Sequence, residues 1–545
     1  MTPELRIIFE FHESTKHRLN RYARGPDSLD WATQPDPFRR YAGAPLIPLE
    51  HPWPAEYPRY EPVFIEGRLP VQPLNRSSVS RLFYDALAIS AWKQAGNVRW
   101  ALRVNPSSGN LHPTEGYLVC GPVEGLCARP MVGHYAPKEH ALELRTEFPP
   151  QAWKALTSGL PDAAILVGLA SIHWREAWKY GERAFRYCQH DLGHAIATVS
   201  LAAAAMGWKA TLLDDLSAEA LSSLMGLFVS PGAEPEHPEC LLAVYPQTES
   251  CSAHTLPESA TATFRTFPWE GTPNLLSPDH VDWPAIETAA AAAQKPATRD
   301  IYDAARPSGR PLEVGSAQIS FRKMVHQRRS CLGLDGRTGI TRDAFYQILR
   351  KTVPGPGQFP FNALPWAPVI HCAIFVHRVR DIDPGLYFLA RDPAALDRLK
   401  GAMKKEFAWE KTSGCPAGLE LYRLMTGDAG ALSRQISCHQ AIAADGCFSL
   451  GMIAEFEAPL RQYGPWFYPR LFWEAGVIGQ VLYLEAEATG IRGTGIGCFF
   501  DDPMHDVLGL ADRRFQDLYH FTVGGPMEDE RLTTLPAYPS EEVVR

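Results

Sequence analysis

At 545 residues the chain is well past the ~250–300 at which a single hydrophobic core stops growing, so at least two domains are expected. With 45% hydrophobic and 21% charged residues, its composition excludes a disordered, collagen-like or coiled-coil protein. A net charge of −8 without a long basic block argues against bulk nucleic-acid binding, which needs clustered Lys and Arg.

The most apolar stretch, Ala195–Leu213, is broken by Gly207, Trp208 and Lys209, so it reads as a buried core helix and not a membrane span. The opening Met1-Thr2-Pro3-Glu4-Leu5-Arg6 does not read as a signal peptide. Eleven scattered cysteines without a C-x-x-C pair suit reduced thiols in a cytoplasm better than a disulfide framework or a zinc site, and no metal is expected.

In chain order, residues 1–74 are rich in Pro, Arg, Tyr and Trp with little periodicity, and predict an arm laid across a globular surface. Residues 75–255 predict a first α+β domain, with a strand around Ile165, Val167 and Leu169 and an Ala-rich helix over Ala184–Met206. Residues 256–315 predict a linker with one short Ala-rich helix near Ala289–Ala293. Residues 316–545 predict a second domain with a helix over Leu471–Ala488.

The two domains share landmarks. Tyr180-Gly181 begins 13 residues before Gly193, and Tyr463-Gly464 begins 13 before Gly476. Gly193 lies 14 before Gly207 and Gly476 lies 14 before Gly490; both series then reach a Gly-Leu pair 19 residues on, at Gly226 and Gly509. Asp191 falls on Glu474. These matches predict a duplication of one α+β domain, with close helix–helix packing of the halves through small residues such as Gly476 and Gly479. The second copy carries about 31 extra residues around 400–435, either a lid or a surface elaboration.

Four segments could carry chemistry. Pro106-Ser107-Ser108-Gly109-Asn110, ahead of Pro113, is a turn with hydroxyls and backbone N–H groups suited to a flat heterocycle. Arg328-Arg329-Ser330 could grip a phosphate. Gly493-Thr494-Gly495-Ile496-Gly497 could lie against a ring, although it lacks the Rossmann spacing. Lys179 and Tyr180 precede a helix whose Arg183, Tyr187, Asp191 and His194 share a face. Taken singly, these are more simply a loop, a solvated basic patch, a turn and a salt-bridged helix start.

Together and in this order, on a duplicated domain, the segments resemble the flavin-dependent nitroreductase superfamily. Within it they resemble the SagB-type azoline dehydrogenases, here in tandem form, over roughly residues 75–540. The resemblance implies two nitroreductase-like α+β domains, with mixed or antiparallel sheets, forming an intramolecular pseudo-dimer. It also implies FMN, a small-molecule or peptide substrate, and Lys179-Tyr180 as the proton-removing pair. In such dimers one subunit supplies the basic segment and a late glycine segment, and the other supplies the P-S-x-G turn. Here the turn survives only in the first copy, where the second has Phe359-Pro360-Phe361-Asn362-Ala363-Leu364-Pro365. R-R-S and the glycine run survive only in the second, where the first has Asn75-Arg76-Ser77-Ser78 and Ala210-Thr211-Leu212-Leu213-Asp214. These complementary losses imply one FMN site: phosphate on Arg328, Arg329 and Ser330, joined by Arg531, and ring between Pro106–Asn110 and Gly495-Ile496-Gly497. An NAD(P)H-dependent nitro or quinone reductase, and a non-catalytic flavin-binding scaffold, remain as alternatives.

Overall fold

Apolar, β-branched segments assemble two seven-stranded sheets in which every ladder is antiparallel. The computed structural model describes all residues except 53–55, 230–231, 233, 252–254, 300, 303–311, 313–317 and 539–545. The first sheet comprises β1 (Leu46–Pro48), β2 (Thr114–Cys120), β3 (Met131–Ala136), β4 (Ala141–Glu147), β5 (Ile165–Ser171), β6 (Trp208–Leu212) and β7 (His237–Pro246). The second comprises β8 (Ile370–Val376), β9 (Gly385–Leu389), β10 (Glu410–Lys411), β11 (Leu421–Thr426), β12 (Phe448–Glu455), β13 (Arg492–Ile496) and β14 (Phe515–Gly524). Their orders are β1-β4-β3-β2-β5-β7-β6 and β10-β11-β9-β8-β12-β14-β13. Apart from the outermost strand of each, one topology is used twice, as the duplicated landmarks predict.

The helices that matter for the site are α1 (Pro3–Ser14), α2 (Arg76–Leu87), α3 (His173–Tyr180), α4 (Ala184–Ala204), α5 (Pro284–Ala292), α6 (Phe321–Gln327), α7 (Tyr468–Ala488) and α8 (Asp501–Leu508). Every residue of α4 is buried, as expected of a helix apolar on nearly all sides. It packs on α7, and the two cross where the duplicated glycines meet. A Cβ on Gly193 would lie 2.3 Å from the Trp473 carbonyl oxygen, and one on Gly476 would lie 2.3 Å from that of His190. Only glycine permits this approach, which makes the chain a pseudo-dimer about the Gly193–Gly476 contact.

The arm is more regular than its composition suggests. Leu5, Ile8, Phe9 and His12 follow i, i+3, i+4, i+7 and form the buried face of α1, which is capped by Thr2. Phe11 touches Phe185 of the first half and Tyr468 of the second, so α1 bridges them. β1 then adds an edge strand to the first sheet, which therefore begins before residue 75. The Ala-rich linker helix is α5, while much of the later linker lies outside the described residues.

The insertion sits earlier than its expected span around 400–435. Residues 421–426 are β11, the counterpart of β4, so the surplus lies before them. It forms a helix over Leu396–Ala402 and the edge strand β10, at the opposite edge of the sheet from β13 and its glycine run. The glycine run itself is strand β13 rather than a turn. Among the described residues no helix is long and apolar enough to cross a membrane. None of the eleven cysteines is in a disulfide.

Candidate functional site

The P-S-S-G-N segment forms a short 3-10 turn over Ser108–Asn110, with Gly109 at φ 56. Asp191 of α4 fixes it, accepting from the Ser108 backbone N–H at 3.0 Å and from the Ser108 hydroxyl at 3.0 Å. Asn110 Nδ2 donates to the Ala101 carbonyl at 2.8 Å. A Cβ on Gly109 would lie 2.5 Å from Tyr180 Oη and 3.2 Å from Lys179 Nζ. The turn and the Lys-Tyr pair are therefore in contact, and the missing side chain at Gly109 is what admits them.

Glu176, one turn before Tyr180 on α3, faces the same turn, with Ser107 Oγ 3.5 Å from its Oε1. Burial raises the Asp191 carboxyl to about 7. Burial, reinforced by Asp191, raises Glu176 well above the carboxylate range. The two form a buried carboxyl pair that keeps a proton near neutrality. Tyr180 is raised as well, by burial and then by Glu176, so it stays protonated and donates.

The opposite wall is β13. Gly495 N–H donates to Tyr483 Oη at 3.0 Å, and that oxygen lies 2.8 Å from Ser330 Oγ. The Gly497 carbonyl accepts from Tyr187 Oη at 3.1 Å and from Arg183 at 3.3 Å. The glycines are required by their neighbours: a Cβ on Gly495 would lie 1.9 Å from Tyr519 Oη, and one on Gly497 2.6 Å from the Tyr187 ring. His194 joins the walls, with Nε2 3.2 Å from Tyr519 Oη and Nδ1 3.2 Å from Gln480 Oε1. Burial holds His194 neutral, at about 3. Thus Arg183, Tyr187, Asp191 and His194, predicted to share a face, all act on this site.

The cationic end sits at the C-terminus of α6. Arg328 is buried over the Tyr483 ring, 5.0 Å from its centroid, donates to the Arg103 carbonyl at 3.0 Å, and leaves its Nε without a partner. Burial and then the neighbouring Arg328 pull Arg329 down to about 10. Lys93, on the hairpin strand Ile89–Ala95, is lowered by burial and then by Arg329. Arg531 does not join them: its side chain is 86% exposed and paired with Asp529. Sequence reasoning missed Glu176, Tyr483, Tyr519, Lys93 and Cys498. Only Glu176 left a signal, its i, i+4 spacing to Tyr180. Cys498 adjoins Gly497, and its thiol is lowered by a hydrogen bond with Cys438, against burial, with help from His17.

The pseudo-symmetric position is filled. The spacing that carries Gly193 to Gly476 carries Tyr187 to Arg470 and Asp214 to Gly497. Where the site has a glycine carbonyl held by a tyrosine, the other half has Asp214 locked by Arg470 at 2.7 Å and by Tyr302. Arm residues Tyr60, Val63 and Phe64 are fully buried there, and Phe359 N–H donates to the Phe64 carbonyl at 3.0 Å. Asn75 has become the cap of α2.

A protein of the same architecture is a proposed nitroreductase from Anabaena variabilis, matched at 22% identity over 96% of this chain and 99% of that one, with a TM-score of 0.70. Smaller portions align with an Escherichia coli microcin synthetase McbBCD complex with truncated pro-MccB17 bound (18% identity, 45% of this chain, 94% of that one, TM-score 0.27). They also align with the NADPH:FMN oxidoreductase from Vibrio harveyi complexed with NAD+ (13% identity, 41% of this chain, 74% of that one, TM-score 0.22). No curated protein matches the sequence. Residues 75–244 match the Nitroreductase family model. The family match thus falls in the first half of a chain whose two α+β halves repeat one sheet topology.

Proposed function

We propose that the protein is an FMN-dependent oxidoreductase with one composite flavin site between its halves, acting as a SagB-type dehydrogenase on a small-molecule or peptide azoline substrate. The observation that carries this reading is the convergence of complementary parts: the first half's P-S-S-G-N turn and Lys179-Tyr180 beside the second half's R-R-S segment and glycine strand. The residues fit the cofactor. Arg328 has a buried, partnerless Nε, and Arg329 and Lys93 add charge for a phosphate. FMN, when bound, supplies two-electron redox chemistry. The chain's own residues orient the substrate, exclude water and handle its proton. Lys179, beside the turn, is the acceptor at the substrate. Tyr180 stays protonated and donates, while Asp191 and Glu176 hold the turn and keep a proton of their own. Cysteines that form no disulfide support the cytoplasmic setting that we propose.

Flavin released from the purified protein should amount to about one FMN per chain, since one of the two pseudo-symmetric positions is filled. Two per chain would overturn the single-site reading, and none after adding FMN would leave a scaffold. Arg329→Ala should weaken FMN binding by about 30–100-fold, the worth of a charge-assisted phosphate contact, with an unchanged melting temperature after correction for flavin occupancy. Lys179→Ala should keep flavin and lose about 100-fold or more in turnover, as for removal of a general base. NAD(P)H oxidation with a nitroarene acceptor that survives Lys179→Ala unchanged would move the assignment to a reductase.

A further inference from the structure

A second polar cluster lies at the other end of α3 from Lys179 and Tyr180. His173 opens α3, His237 opens β7, and Glu287 lies on the linker helix α5. One ligand atom from each lies within 4.8 Å of the other two. The imidazoles stack with centroids 3.9 Å apart and planes 15° apart. His237 Nε2 is 4.0 Å from Glu287 Oε1. Two cavities, of about 120 and 230 Å³, share these three residues as walls.

The state of His173 points to a missing ligand. It is only 4% exposed, yet neither ring nitrogen has a hydrogen-bond partner. A buried polar group in a native fold is rarely left so. Its nearest polar neighbour is Glu239 Oε1, 3.8 Å from Nε2 and itself held by Gln189 at 2.8 Å. Both ring nitrogens of His173 are therefore left for a ligand that the surrounding side chains do not supply.

We propose that His173, His237 and Glu287 form a site for one divalent transition-metal ion of the zinc class. Two imidazoles and a carboxylate select such an ion over magnesium or calcium, and leave a fourth position for water. His237 and Glu287 are 23% and 60% exposed, so the ion enters from solvent, and their side chains can tilt out of the stack to converge on it. Glu239 stands behind His173 as the carboxylate that orients a ligating imidazole. Because Glu287 comes from the linker, the ion would fasten α5 to the first half, at the N-terminal end of the helix that bears the Lys-Tyr pair.

The test uses the full chain, stripped with a chelator and titrated with Zn²⁺, then with Co²⁺ as a spectroscopic probe. One Zn²⁺ per chain with micromolar or tighter affinity is expected, with a rise in melting temperature. Co²⁺ should show the visible bands of a nitrogen and oxygen site. His237→Ala and Glu287→Gln should each weaken binding by about 10-fold or more, at least the cost of losing a group that merely orients a ligand, with flavin content unchanged in both. No binding at about 100 μM Zn²⁺ would overturn the proposal. So would binding undiminished in both variants, or a thiolate-to-cobalt charge-transfer band, which would place the ion on cysteines.

Discussion

Asp501→Ala should lower the unfolding free energy by about 3–5 kcal/mol, the cost of stranding buried charge when one partner of an ion pair is removed. Asp501 is fully buried at the start of α8 and binds two arginines of the other half, Arg183 at 2.9 Å and Arg186 at 2.8 Å. It also accepts from the His17 backbone N–H of the arm at 2.9 Å, so three parts of the chain meet on one carboxylate. Burial opposes its ionisation, but Arg183 and Arg186 outweigh that and hold it at about 2. A carboxyl whose folded pKa is depressed stabilises above its unfolded pKa and loses that contribution as pH falls through the folded value. The native protein should therefore lose this contribution between about pH 4 and 2, and Asp501→Ala should show a flatter stability profile across that window. Denaturant unfolding at several pH values checks both. Parallel profiles for the two proteins would remove Asp501 from the interface account. The variant should also bind flavin less well, because Arg183 holds the Gly497 carbonyl.

Gly193→Val should cost about 3 kcal/mol or more, at or beyond the upper end for overpacking, because the added atoms meet backbone. The Trp473 carbonyl oxygen and Cα lie 2.3 and 2.8 Å from the position of the new Cβ, and neither can rotate away. α4 and α7 would have to separate, and they carry Tyr187, Asp191 and His194 on one side and Tyr483 on the other. Loss of flavin should accompany loss of stability. Gly193→Ala separates this account from simple propensity. In an ordinary helix it would stabilise by up to about 1 kcal/mol, whereas here it should destabilise. A raised melting temperature for Gly193→Ala would show that the crossing is looser than described.

Much of the site was legible because it is built from local motifs. The turn at Pro106–Asn110, the basic triplet at 328–330 and the Lys-Tyr pair are short, and their types state their chemistry. The glycine strand was legible as a motif but not as an element: strand formation there depends on pairing with β14, whose Tyr519 and Phe521 cross over Gly495 and Gly493. Arg531, expected beside the phosphate, instead lies exposed and paired with Asp529. The insertion's surplus lies before residue 421, because strand pairing makes 421–426 a core strand, which landmark spacing alone does not reveal.

By itself the sequence determined the duplication, the α+β class, the close packing of the two long helices and the complementary division of motifs between the copies. These depend on spacing, and spacing is written in the chain. The tertiary structure decided which side chains surround those motifs. Tyr483 and Tyr519 reach the site from other elements, Glu176 becomes a proton-bearing partner of Asp191 only when both are buried, and arm residues 60–64 fill the position where a second site would lie. Burial and contact between separate elements set these pKa values and fill these spaces, and neither is a property of any local stretch of sequence.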